Sequence, residues 1–178
     1  YTWCRAIRYR YLPILANWRN IIRCFWHRGE IFVEHASSLQ YAEQESDARV
    51  AGWRKEFRLP DLHHRESADH LHDEIERAAE LLRRMVEETK IRGFQPILMI
   101  PPLSAVFNKK IGSDFVDEVL YRPLRQKFTD VPLLDYMRDE RFQDYRLYQN
   151  GDFMNVEGRN VFMPVLWNDI QNCIGKTV

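Results

Sequence analysis

The sequence lacks the glycine signatures of nucleotide enzymes. Its seven glycines form no GxGxxG and no glycine-rich loop ending in Lys-Ser or Lys-Thr, so neither a dinucleotide fold nor a phosphate cradle of the usual kind is encoded. The G-x-S-x-G nucleophile elbow is missing too. Three scattered cysteines, Cys4, Cys24 and Cys173, form no CxxC, which argues against a zinc site and against a disulfide framework. Net charge is absent: 26 basic residues balance 26 acidic ones, so no global field draws in nucleic acid or anionic lipid. No run reaches the roughly 18 to 20 apolar residues of a membrane span, and no signal-peptide pattern opens the chain. The expectation is a protein without cofactor, metal or nucleic-acid partner.

What is present is a chain of 178 residues, 45% hydrophobic and 13% aromatic, enough for one domain with a substantial core. It starts at Tyr1 rather than Met, inside what reads as structured sequence, so a fragment or processed product is expected. The organising stretch is Gly93 to Pro102, GFQPILMIPP. Ile97, Leu98, Met99 and Ile100 show no polar alternation, as expected of a parallel strand covered on both faces. Pro101 and Pro102 end that strand at the carboxyl edge, where open α/β sheets place their ligand loops.

The first 28 residues are basic and aromatic, with Trp18, Ile21, Ile22, Phe25 and Trp26 at helical spacing. Interleaved arginines suit a membrane- or nucleic-acid-facing helix, but ordinary packing favours a core helix with a solvated arginine face. Glu30 to Val33 reads as a short strand, and His35 to Leu59 as a connecting region, in part helical. A helix is predicted from Ser67, as N-cap, to Arg92, with Leu71, Ile75, Ala78, Ala79, Leu82, Met85 and Val86 on its apolar face and Gly93 just past its end. Leu103 to Gly112 reads as a loop. A second helix begins at Ser113, with a kink or break near Tyr121 imposed by Pro123. Val131 to Tyr136, VPLLDY, is a second parallel strand. A polar loop from Met137 to Gly151 then leads to a last helix interrupted by Pro164.

His63, His64, His70 and His72 sit among aspartates, but His70 and His72 point about 200° apart on a helix and cannot share an ion. Three carboxyl-edge segments remain as a candidate pocket: Pro102 with Ser104 after the first strand, Asp135 after the second, and the turn Asn150 to Asn155, including Phe153. Asp152 and Asn155 equally suit the capping of the last helix.

This order of parts, with GFQPILMIPPLSAVFNKKIG, VPLLDY and an aspartate turn before the last helix, resembles the carboxy-terminal half of the SGNH/GDSL hydrolase-like family, DltD type, over Ala68 to Ile174. The resemblance implies a three-layer α/β/α sandwich with a parallel flavodoxin-like sheet, here incomplete at its N-terminus, over residues 61–178 of the single α/β domain 1–178, with 1–60 as the basic-aromatic helical and connecting region. It also implies an extracytoplasmic, membrane-tethered protein and serine-based acyl-ester hydrolysis or acyl transfer on a cell-envelope polymer. In the family's D-x-x-H motif, Asp152 matches the aspartate and Asn155 replaces the histidine. In a DHLNxxG register, residues 152–158 match, Phe153 replaces the histidine and Asn150 the aspartate. Neither register supplies a base, since asparagine and phenylalanine cannot exchange a proton near neutral pH. Gly112-Ser113-Asp114 does not supply the nucleophile block either.

Three functions follow as expectations. The first is an SGNH-like domain inactive as written, keeping its pocket for an envelope glycan or acyl-carrying polymer. The second is an active acyl hydrolase or transferase whose nucleophile block lies upstream. The third is a binding module acting through the basic-aromatic residues Trp3 to Arg28.

Overall fold

The computed structural model describes residues 38–175. The readings of Tyr1 to Arg28 and of Glu30 to Val33 lie outside them.

Helix α1 (Leu39–Phe57) opens the described chain, its N-terminus capped by the Ser38 hydroxyl, which accepts from the Tyr41 amide at 3.2 Å. It occupies what the sequence presents as a connecting region. The correction has a physical cause: the positions α1 buries are Ala42 and Ser46, small residues that leave no periodic stripe of large apolar side chains. They allow close approach to helix α3 (Ala105–Ile111). That helix corrects the loop expected over 103–112, and Ser104 is its N-cap.

A 3₁₀ stretch, Arg65–Leu71, precedes helix α2 (His72–Ile91). Ser67 therefore caps no helix. Its hydroxyl donates to Asp61 at 2.8 Å, and the same carboxylate accepts the His63 amide at 3.0 Å and the His64 amide at 3.3 Å. These bonds, the His63 amide first, hold the Asp61 carboxyl well below the usual carboxylate range. The sign follows: the turn's contribution is complete above the unfolded pKa of about 4 and is lost as pH falls below it. We expect Asp61→Asn to flatten the loss of stability between pH 6 and pH 3, read as denaturation midpoints. Parallel curves for the two proteins would remove Asp61 from that role. At the other end of α2, Gly93 adopts φ 80° and its amide donates to the Lys90 carbonyl at 2.9 Å, the expected helix stop.

Among the described residues the sheet has two parallel strands, β1 (Leu98–Ile100) and β2 (Leu133–Asp135), paired Leu98 to Leu133, Met99 to Leu134 and Ile100 to Asp135. Between them the chain is helical: α4 (Ser113–Val116), a π turn (Asp117–Tyr121) and α5 (Arg122–Lys127). The break expected from Pro123 takes the form of that π turn. The Arg122 amide reaches the Asp117 carbonyl five residues back, and the added residue accommodates a proline that has no N–H to donate. Leu98 packs with Val86 of α2, Leu124 of α5, Phe128 and Val131. Leu134 packs with Val165 and Leu166 of helix α6 (Val156–Gly175), over a trio of mutually edge-on rings, Tyr136, Phe142 and Phe162. The strands are not covered on both faces as the apolar runs suggest: Met99 and Leu133 stay 43% and 40% exposed. Nor does Pro164 interrupt α6, which runs through it. The packing of Phe162, Val165 and Leu166 on either side holds that helix together.

Candidate ligand pocket

Gly151 fixes the site. Its carbonyl accepts both the Ser104 amide at 3.2 Å and the Ser104 hydroxyl at 3.0 Å, which ties the turn to the end of β1. A Cβ added at Gly151 would stand 2.5 Å from Ser46 Oγ and 3.0 Å from Phe107 Cβ, so α1 and α3 close over it only because it is glycine. Ser46 in turn donates to the Ala42 carbonyl at 2.6 Å inside α1. This contact sets Asn150 and Asp152 against the exposed side of α1.

The result is an open pocket of about 400 Å³ lined by Glu45, Arg49, Trp53 and Glu56 from α1 and by Asn150 and Asp152 from the turn. Asp152 pairs with Arg49 at 2.9 Å. The Arg49 guanidinium also lies 5.4 Å from the centre of the Phe153 ring, a cation–π contact at the rim. Trp53 is braced edge-on against Phe107, with centroids 5.4 Å apart, and its half-exposed ring forms the apolar wall. Asn150 shapes the turn by accepting the Phe153 amide at 2.8 Å. Gly52 lies in the same wall, and a Cβ there would meet nothing within 4 Å.

The remaining residues singled out in the sequence have other duties. Asn155 is 3% exposed; its Oδ1 accepts the Gly158 amide at 2.8 Å and its Nδ2 donates to the Arg146 carbonyl at 2.7 Å, so it caps α6 and does not face the pocket. Ser104 is fully buried, accepting the Phe107 amide while donating to Gly151. Pro102 is buried beside it in the chain. Asp135 accepts the Met137 amide at 3.0 Å at the end of β2. Desolvation, and then the nearby Asp135 carboxylate, push the Tyr121 hydroxyl up to about 12. The loops after β1 and β2 are joined by two amides: Asn108 and Gln143 both donate to the carbonyls of Leu103 and Met137.

Chemically, the pocket offers an aromatic wall, three carboxylates, a guanidinium and an amide. Among the described residues, no serine, cysteine or histidine lines it. Of the described histidines, His64 faces Asp61 at 3.2 Å and His70 donates to the Phe57 carbonyl at 2.7 Å. Among the described residues no three metal-ligating side chains gather to hold an ion, and no described helix is long and apolar enough to cross a membrane. Sequence reading missed Arg49, Trp53, Glu45 and Glu56 because α1 itself was hidden. The available signal was Ser38 as an N-cap followed by 19 residues without proline. No protein-family model, curated protein or solved structure matches the chain.

Proposed function

We propose that the chain carries a non-catalytic SGNH-hydrolase-like domain, of the three-layer flavodoxin-like type, that binds a hydroxyl-rich envelope glycan or acyl-carrying polymer beside Trp53. The observation that carries this reading is the occupancy of the motif turn. Asp152 is held by Arg49, and Phe153 covers that guanidinium where the DHLNxxG register calls for a histidine. The same register gives Asn155 and Gly158 physical reasons. Asn155 caps the helix, and Gly158 lies so close to Leu147 that a Cβ would stand 2.1 Å from its carbonyl oxygen. The layering is supported by Leu98 packing against α2 and α5 while Leu134 packs against α6. An aromatic face ringed by carboxylates and an amide is a chemistry suited to sugars: ring C–H groups lie on the indole, and hydroxyls reach the acceptors.

The test is binding of purified teichoic acid, wall and capsular polysaccharides to the full chain and to Trp53→Ala. At least a tenfold loss for Trp53→Ala on whichever polymer binds is expected. Because Trp53 also braces Phe107, Glu45→Ala serves as a second variant on the pocket wall, with a smaller loss expected. Binding that survives both changes undiminished places the ligand elsewhere.

A further inference from the structure

Helix α6 has two apolar stripes. Phe162, Val165 and Leu166 form the one that enters the core. The second comprises Val156, Asn160, Met163, Trp167, Ile170 and Ile174, at intervals of four, three, four, three and four. At 100° per residue these six positions fall within about 80° of arc, the a and d positions of a heptad repeat. This stripe faces solvent: Val156, Met163, Trp167 and Ile174 are 48%, 54%, 63% and 48% exposed. A helix face left to solvent normally carries charged and polar residues, so an apolar stripe there calls for a partner.

We infer that this second stripe is the seam of a homodimer, in which α6 packs antiparallel against α6 of a second copy. The intervals are symmetric about position 165, so an antiparallel pairing sets Met163 against the partner's Trp167, Asn160 against the partner's Ile170 and Val156 against the partner's Ile174. Each contact then occurs twice, as a two-fold interface requires. The area is consistent with a stable pair. The exposed apolar surface of these side chains is of the order of 400 Å², most of the apolar share, about 60%, of the roughly 800 Å² that each partner brings to a standard interface. A chain with no net charge does not repel its own copy. A lipid surface fits less well, because Arg159 is the only cation in α6 and membrane-surface helices line their polar face with lysine and arginine. Asn160 is the polar member of the stripe; set against the partner's Ile170 it has no amide to pair with, and it costs affinity.

The test is sedimentation equilibrium of the full chain from about 1 to 100 µM. A dimer is expected, with Met163→Glu reducing it to a folded monomer by circular dichroism and Asn160→Leu lowering the dissociation constant at least fivefold. Asn160→Leu carries the decision if Met163→Glu fails to fold. The proposal is overturned by a monomer at every concentration, including one in which Trp167 resists a soluble quencher because another segment covers it. It is equally overturned by a dimer that Asn160→Leu leaves unchanged.

Discussion

Gly158→Ala is expected to destabilise the protein by about 3 kcal/mol or more, although alanine ordinarily favours a helix by about 1 kcal/mol over glycine. The reason is local and rigid. The added Cβ would stand 2.1 Å from the Leu147 carbonyl oxygen and 3.0 Å from its carbon, backbone atoms that cannot rotate away. Nothing can yield except the seating of α6 itself. The Gly158 amide is bonded to Asn155 Oδ1, and the Asn155 amide to Leu147 O at 3.0 Å, so moving the helix breaks its cap as well. Asn155→Ala, which removes the side-chain cap and the Nδ2 bond to the Arg146 carbonyl, should cost about 2 kcal/mol. Chemical denaturation of the two variants measures the order, and an alanine at 158 that is neutral or stabilising would show that α6 does not approach Leu147 so closely.

The second large effect is expected at Gly151, where stability and the pocket are coupled. Gly151→Ala places a methyl group 2.5 Å from Ser46 Oγ and 3.0 Å from Phe107 Cβ, at the contact that holds α1 to the turn. A cost of about 2 to 3 kcal/mol is expected from overpacking, together with loss of polymer binding, because Glu45, Arg49 and Trp53 move with α1. The clash with Ser46 can be separated from the rest. Ser46→Ala alone removes one hydrogen bond to the Ala42 carbonyl, worth about 1 kcal/mol, and in the Gly151→Ala background it should restore part of the loss. A strictly additive double variant would mean that Ser46 and residue 151 do not meet.

The contrast between α1 and α2 shows how far sequence could reach. Helix α2 announces itself through large apolar residues at three and four, acidic residues Asp73 and Glu74 in its first turn, and Gly93 after its end. Helix α1 buries Ala42 and Ser46 fully and adds only the partly covered Val50 and Trp53, and small residues at a close contact look polar or neutral in one dimension. The pocket was half legible for the same reason. Asn150 and Asp152 stand in a recognisable turn, while Arg49 and Trp53 lie on the unseen helix. Helix α3 was hidden by the Pro101-Pro102 pair and by Asn108, Lys109 and Lys110, yet Ser104 is an ordinary N-cap. Pro164 marks the opposite error, whereas the break expected at Pro123 is present as the π turn. Sequence gives the missing N–H of a proline, but whether the helix bends, winds into a π turn or continues depends on what packs beside it.

Covalent labelling is the direct test of the proposal that this domain binds without serine chemistry. The full-length protein is incubated with a fluorophosphonate probe and its intact mass measured, with turnover of p-nitrophenyl acetate followed in parallel. An unmodified mass and hydrolysis no faster than buffer are expected. A stoichiometric adduct on a serine, with turnover that the probe abolishes, would contradict it and assign the domain a catalytic role.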